Sequence, residues 1–292
     1  MKNILIIGAN GFTGRRILND LSVNPIYHVT GCSLRDDICP GKDYRFVRTD
    51  IRDENEVRKL FKECRPDIVI NTSALSVPDY CETHHAEAEA TNVTAVETIA
   101  HVCEQYGSRF IHLSTDFVFD GKSTRLYKEE DEAIPVNYYG VTKLKAEKII
   151  ASICSNYAIV RVVVVYGKAL PGQHGNILQL VANRLRNGET IRVVSDQWRT
   201  PTFVGDISVG VEKLMFHTAN GIYHICGSEC LTIAEIAYRV ADFLKLDRSL
   251  IEPVTTEEMK EVTPRPRFSG LSIEKAKAEI GYTPRTLEEG KI

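Results

Sequence analysis

Four apolar residues in a row, Ile4-Leu5-Ile6-Ile7, run straight into Gly8-Ala9-Asn10-Gly11-Phe12-Thr13-Gly14. An unbroken apolar run suits a strand buried on both faces, as in a parallel sheet. An amphipathic run follows, with Ile17, Leu18 and Leu21 on one side. Strand, glycine turn and helix in that order open a doubly wound α/β fold and cradle phosphate. Gly8 allows a sharp turn, Gly11 leaves the backbone open to a pyrophosphate, and Gly14 lets the helix pack close to the strand. The helix N-terminus adds unpaired N–H groups and partial positive charge. Asn10 and Phe12 lie in the same turn and join the three glycines as candidate cofactor contacts.

The rest of the chain repeats the strand–helix alternation. His28 to Arg35, Arg45 to Ile51, Asp67 to Asn71, Phe110 to Thr115 and Ala158 to Gly167 read as further strands. Asp53 with Glu56 starts a helix to about Cys64, and a longer helical region spans Asp79 to Tyr106 with Asn92 inside it. Asp116 to Val136 reads as an exposed polar connection, and Asn137 opens a helix to Cys154. Thr232 and Glu235 form a capping box for a helix to Leu244. The expected fold class is a doubly wound parallel-sheet Rossmann fold with a small C-terminal substrate-binding lobe. The expected division is a dinucleotide-binding domain over residues 1–166, then a mainly substrate-binding lobe over 167–292 that interleaves with the sheet.

Composition excludes several classes. The net charge of −3 gives no electrostatic reason to expect nucleic acid or an anionic membrane as partner. No apolar run approaches the ~20 residues that span a bilayer. The N-terminus enters a strand at once, without the features of a signal peptide. The eight cysteines are scattered with no Cys-x-x-Cys, which suits reduced thiols in the cytoplasm. The histidines offer no metal-ligand spacing, so no metal is expected. A homodimer stays open as an assembly.

The strand exits hold the candidate ligands, as expected beyond the carboxyl ends of parallel strands. Ser33 and Arg35 at the second exit suit the 2′-phosphate of NADP(H), with NAD(H) the alternative because Asp36 and Asp37 come soon after. Arg35 reads equally as a solvated loop charge. Asp50-Ile51 resembles the Asp-hydrophobic pair that flanks the adenine ring in the short-chain dehydrogenase/reductase superfamily, and Thr72-Ser73-Ala74 is a small-residue turn of the kind that passes over a pyrophosphate and ribose. Thr115 ends the fifth strand, and Tyr139 and Lys143 lie four apart on the next helix, on one face. A lysine ammonium one turn from a phenol favours the phenolate. Thr115 can hold a substrate oxygen, and Tyr139 can donate a proton to an alkoxide while Lys143 also contacts the nicotinamide ribose. The three together suit hydride transfer to a ketone.

Ser114-Thr115-Asp116-Phe117-Val118-Phe119-Asp120-Gly121 and Tyr139-Gly140-Val141-Thr142-Lys143 carry a family likeness. The chain resembles the dTDP-4-dehydrorhamnose reductase family, within the extended short-chain dehydrogenase/reductase superfamily. The resemblance runs through Asp196-Gln197 and Pro201-Thr202 to Leu287-Glu288-Glu289-Gly290. It implies Thr115, Tyr139 and Lys143 as a catalytic triad, and a lobe that holds a nucleotide-sugar. It also places Asn176, Val193 and Arg199 against the nucleotide part of that substrate. Arg199 or Arg265 could pair with a diphosphate, though each alone reads first as a surface charge, and Trp198 reads equally as a stacking partner for a base or sugar and as a half-buried core residue. Thr72-Ser73-Ala74-Leu75, Val163 to Gly167 and Arg265-Pro266-Arg267 depart from the reductase pattern on the substrate side.

The expected activity is NADP(H)-dependent reduction of a keto-deoxysugar nucleotide, with dTDP-4-dehydrorhamnose the first candidate. A nucleotide-sugar epimerase or dehydratase is one alternative. For a dehydratase, Phe117 stands where an elimination would need an acid or base. A non-catalytic dinucleotide-binding subunit that regulates a partner enzyme, like the methionine adenosyltransferase β subunit, is the other.

Overall fold

The structure is a computed structural model that describes residues 1–41, 43–170, 172–173 and 175–290. Its centre is a seven-stranded, wholly parallel sheet. The strands are β1 (Lys2–Ile7), β2 (Tyr27–Ser33), β3 (Arg45–Arg48), β4 (Ile68–Asn71), β5 (Arg109–Thr115), β6 (Tyr157–Val162) and, after four short strands of the lobe, β11 (Gly221–His224). The spatial order is β11-β6-β5-β4-β1-β2-β3, so the winding reverses between β1 and β4. A crevice opens at such a reversal, where ligands bind in sheets of this kind.

Helices cover both faces. One carries α1 (Phe12–Ser22), α8 (Val204–Phe216) and α11 (Glu274–Ile280); its core includes Ile4, Ile6, Leu18, Ile111, Ile207 and Val211. The other carries α2 (Glu54–Cys64), α5 (Ala95–Tyr106) and α6 (Tyr138–Ile153), over Leu5, Ile7, Phe61, Val69, Ile99 and Phe110. Alternate residues of β1 therefore feed opposite cores, which is why its sequence is apolar without a break. No helix among the described residues is long and apolar enough to cross a membrane.

A third core, including Leu178, Val181, Val193, Ile236, Val240 and Ile251, sits outside the sheet. It joins α7 (Ile177–Arg186), β8 (Ile191–Val194), α9 (Ile233–Leu244) and β13 (Ile251–Val254). The short strands β7 (Val165–Tyr166), β9 (Trp198–Arg199), β10 (Thr202–Phe203) and β12 (Leu231–Thr232) link it to the rest, and α10 (Thr256–Met259) follows β13. β11 and α8 come from the C-terminal half yet complete the sheet and one of its layers.

Three expectations from the sequence are corrected. The helical region Asp79 to Tyr106 is broken: α3 (Pro78–Thr83) stops at His84, α4 (His85–Glu89) begins again, and a π-helical turn at Ala90–Thr94 precedes α5. The sixth strand does not run to Gly167. It ends at Val162, and Val164 takes φ +38°, a left-handed conformation costly for a β-branched residue. Thr202 clamps the break: its Oγ1 donates to Val163 O at 2.6 Å and its N–H to Val164 O at 3.1 Å.

The third correction is the polar connection after Thr115, which is not simply exposed. Val118, Phe119 and Tyr127 are buried. The segment is woven to the C-terminal tail: Phe268 N–H donates to Gly121 O at 3.1 Å, Ser272 N–H to Tyr127 O at 2.7 Å, and Asn137 Nδ2 to Pro264 O at 2.9 Å.

The capping signals read differently at two helices. Thr232 and Glu235 close a full capping box. Asp53 caps α2, but Glu56 turns away and accepts from Asp50 N–H at 2.6 Å.

α6 is fastened to the sheet by a buried ion pair. Arg161 on β6 meets Glu147 at 3.0 and 2.6 Å, and Ser114 Oγ donates to the same carboxylate at 2.5 Å. Removing one partner strands the other charge in the core. Arg161→Met should cost about 3–5 kcal/mol, and the double variant Arg161→Met/Glu147→Leu should recover much of that loss. Urea denaturation of the three proteins checks both.

Candidate active site

The glycine turn has the shape that a dinucleotide needs. Gly8 sits at φ +83°, and a Cβ there would lie 2.8 Å from both Ser73 N and Thr72 Oγ1. A Cβ on Gly14 would collide with Gly8 O and Thr72 Oγ1. On Gly11 it would meet only Gly8 O, at 3.1 Å, so the outer side of that residue is open among the described residues. α1 begins at Phe12 and leaves its first-turn N–H groups without acceptors in the helix. A cradle bounded by Gly8, Gly11, Phe12, Gly14 and Thr72-Ser73-Ala74 fits a pyrophosphate.

Beside it, Asn10 is engaged with the protein. Its Nδ2 donates to Arg35 O and Asp36 O at 3.2 and 2.8 Å, and its Oδ1 accepts from Arg15 at 2.9 Å. Arg15, missed in the sequence, is 2% exposed and pairs with Asp37 while donating to Tyr44 at 2.8 Å. Burial alone would raise the Asp37 pKa. Hydrogen bonds from Cys39 N–H and Tyr44, with Arg15, outweigh it and hold the carboxyl below its ordinary value. One of the two carboxylates after β2 is thereby neutralised. Ser33 ends β2, and Arg35 and Asp36 are exposed beyond it. Asp50 pairs with Arg52 at 2.7 Å, and Ile51 is buried next to it.

Thr115, Tyr139 and Lys143 sit at the carboxyl end of β5 and on the first turns of α6, which Asn137 caps through Gly140 N–H at 2.9 Å. Thr115 Oγ1 accepts from Phe117 N–H and donates to Asp116, both at 3.2 Å. Burial pushes the Tyr139 phenol above its ordinary pKa, Asp116 adds to it, and a hydrogen bond with Thr115 pulls the other way. The phenol is therefore not drawn toward phenolate, as the spacing to Lys143 suggested. The reason lies in where Lys143 points: its Nζ donates to Leu113 O at 2.7 Å and meets His112 Nε2 at 2.9 Å. Burial pushes Lys143 down to about 8, with Glu147 opposing.

Asn92, set in the π-helical turn, donates to Thr142 Oγ1 at 3.0 Å and exchanges hydrogen bonds with Leu75. It ties α6 to the turn after β4.

A cavity of about 540 Å³ reaches this region through Phe117, and its lining holds none of Thr115, Tyr139 and Lys143. Phe117 lines it, with its ring edge toward Tyr139 at 6.0 Å between centroids. Asn176, Val193, Arg199 and Arg265 line it too. Asn176 is engaged in capping α7, where its Oδ1 accepts from Gln179 N–H at 3.1 Å. Arg199 is 2% exposed and faces Asp116 at 3.6 Å, so its charge is matched within the protein. Arg265 keeps partial exposure between Glu261 at 3.2 Å and Asp79 at 3.9 Å. Trp198 lies apart from the cavity lining, half-exposed against Phe268. A larger cavity of about 980 Å³ runs between α1 and α7, beside Phe12 of the glycine turn, and its lining likewise holds none of Thr115, Tyr139 and Lys143.

Sequence reasoning missed the partners that neutralise this site. Ser269 binds Asp116 from 153 residues away, and His112 and Asn71 reach Lys143 across two strands. No local pattern marks such pairs.

The family model described as the RmlD substrate binding domain matches residues 1–291. The chain belongs to this family. The spore coat polysaccharide biosynthesis protein SpsK of Bacillus subtilis is 32% identical over 99% of this chain and 95% of its own length. The methionine adenosyltransferase 2 subunit beta of Xenopus laevis is 31% identical, over 98% and 84%. Among solved structures, the dTDP-4-dehydrorhamnose reductase of Bacillus anthracis in complex with NADP superposes with a TM-score of 0.87. It is 26% identical, and the match covers 99% of this chain and 97% of that one. The likeness to these RmlD-family proteins spans sheet and lobe alike.

The buried lysine makes a stability prediction. The folded pKa of about 8 lies below the ordinary 10.5, so the unfolded chain holds the proton more tightly. Lys143 therefore destabilises the fold below pH 8, and the penalty fades as pH rises from 8 to 10.5. Lys143→Met should gain on the wild type at pH 7 relative to pH 10.5 by roughly 3 kcal/mol. Chemical denaturation of both proteins at the two pH values checks it.

Proposed function

We propose that the chain is an NADP(H)-dependent reductase of a keto-deoxysugar nucleotide, dTDP-4-dehydrorhamnose first among them, with Tyr139 as proton donor. The observation that carries this reading is a half-buried phenol, held in its acid form beside the Thr115 hydroxyl and packed against Phe117, which lines a cavity of about 540 Å³. Reduction of a ketone creates an alkoxide, and a phenol kept in its acid form can supply the proton as that charge develops. A bound nicotinamide supplies the hydride. Thr115 Oγ1 holds the substrate oxygen beside Tyr139. Lys143 supports the cofactor side from one turn along α6, and Arg265 is the partly exposed cation for a diphosphate. Residues 167–292 serve mainly as the substrate lobe.

Ser33 and Arg35, with Asp37 already engaged by Arg15, favour NADPH. Fluorescence titration should show NADPH binding at least as tightly as NADH. A strong preference for NADH would transfer the ribose contact to Asp36.

Likeness to the methionine adenosyltransferase 2 subunit beta favours a second reading, a dinucleotide-binding subunit without turnover. One experiment separates them: NADPH and a panel of keto-sugar nucleotides, with absorbance and product mass followed together. The reductase consumes one NADPH per alcohol formed. Tyr139→Phe should lower that rate by about 10²–10⁴-fold with cofactor affinity nearly unchanged. Tight NADPH binding with no turnover on any substrate would favour the regulatory reading.

A further inference from the structure

Behind α6 runs a row of buried polar groups that proton donation by Tyr139 does not use. Ser73 N–H donates to Asn71 Oδ1 at 3.0 Å. This fixes the amide, so Asn71 Nδ2 faces His112 Nδ1 at 3.1 Å. An amide NH₂ group only donates, so Nδ1 must accept, and a neutral ring then carries its hydrogen on Nε2. That Nε2 lies 2.9 Å from Lys143 Nζ. An ammonium has no lone pair and would oppose the Nε2–H donor to donor. A neutral amine accepts from Nε2–H and still donates to Leu113 O at 2.7 Å. Asn71 and His112 are fully buried and Lys143 is 2% exposed, so no solvent relieves a mismatch.

We propose that His112 is a positioning residue that sets the protonation of Lys143: at mildly alkaline pH it selects the neutral amine in the free protein, so that arrival of an anionic dinucleotide is coupled to uptake of a proton by the lysine. The coupling rests on the cofactor reading above; the tautomer does not. The proton comes from solvent and stays on Nζ, and no other bond changes. Once protonated, the amine no longer suits the Nε2–H and is released toward the anion. The proposal lets the turn Thr72-Ser73-Ala74, which bounds the dinucleotide cradle, communicate with the catalytic helix through Asn71.

The groups around Lys143 agree with this direction. From β5 comes His112, held by burial far below the ordinary imidazole pKa and lowered further whenever the lysine is charged, so it stays neutral. From β4 comes Asn71, which carries no charge. From α6 come Tyr139, kept as phenol, and Glu147, already bound by Arg161 and Ser114. Asp116 lies beyond the phenol and is matched by Arg199. Burial lowers the lysine, and Glu147 alone opposes it.

Two measurements test the proposal. Long-range proton–nitrogen NMR of the free protein, with the signal assigned through His112→Gln, reads the tautomer. A neutral ring protonated on Nε2 is expected at pH 8.5 to 9.5, where the amine is unprotonated; an Nδ1–H ring or an imidazolium in that range overturns the proposal. Calorimetric titration with NADPH at pH 8.5, in buffers of different ionisation enthalpy, counts protons. The wild type should take up most of one proton.

Asn71→Asp should take up almost none. Its carboxylate accepts from both Ser73 N–H and His112 Nδ1–H, and Nε2 becomes an acceptor for the ammonium already present in the free protein. Binding without proton uptake by the wild type overturns the coupling, as does equal uptake by Asn71→Asp. Should that variant fail to fold, His112→Gln, whose amide oxygen can accept from the ammonium, makes the same comparison. Absence of any NADPH binding removes the cofactor reading, and the tautomer measurement still decides the role of His112.

Discussion

The close approach of α1 to β1 is the contact on which the crevice depends. Gly8 turns the chain with a positive φ, and Gly14 brings the helix so near that a single methyl group would strike the Gly8 carbonyl. Thr72 completes the joint from β4, donating its hydroxyl to Ile7 O at 2.9 Å. Three elements are thus pinned at the point where the winding of the sheet reverses. The open side of Gly11 and the first-turn N–H groups follow from that joint, because neither would face the crevice if α1 stood farther off.

A second organising element is α6, on which positions 139, 143 and 147 share a face. Burial acts on the three in different ways. It raises the phenol and lowers the amine, shifting both toward their uncharged forms. The carboxylate of Glu147 stays buried because Arg161 and Ser114 complete its hydrogen bonding. Asp116 is treated likewise by Arg199 and Ser269. With the amine unprotonated the site is close to electrically neutral, each buried carboxylate being matched inside the protein. A charge that develops on a substrate there meets little competing field.

The parts legible in the sequence are those written in local pattern. Ile4 to Gly14, the β-branched strands and the Thr232–Glu235 box each depend on residues within a few positions of one another. Helix α6 was legible for the same reason, through Asn137 and the four-residue spacing of Tyr139 and Lys143. What the spacing of Tyr139 and Lys143 did not reveal was the direction of the lysine, which is set by His112 and Asn71 on two neighbouring strands. The break after Val162 was hidden because four valines in a row, Val162 to Val165, look like one continuous strand, while Thr202 ends it from forty residues on. Asp116 to Val136 looked exposed because its charges are visible in the sequence and its burial against residues 264–272 is not.

That last contact has a consequence for how the molecule can be divided. Asp116, Gly121, Tyr127 and Asn137 are each bonded to a residue between Pro264 and Ser272. The strand exit that carries Thr115 and the segment 264–272 form one braid, although their sequences lie far apart. Recombining the front of this protein with the back of a relative, by a single crossover near its midpoint, would join two halves of a braid that had never been plaited together. A working exchange of substrate pockets would have to carry residues 116–137 along with the tail, as two inserts moved together rather than as one module.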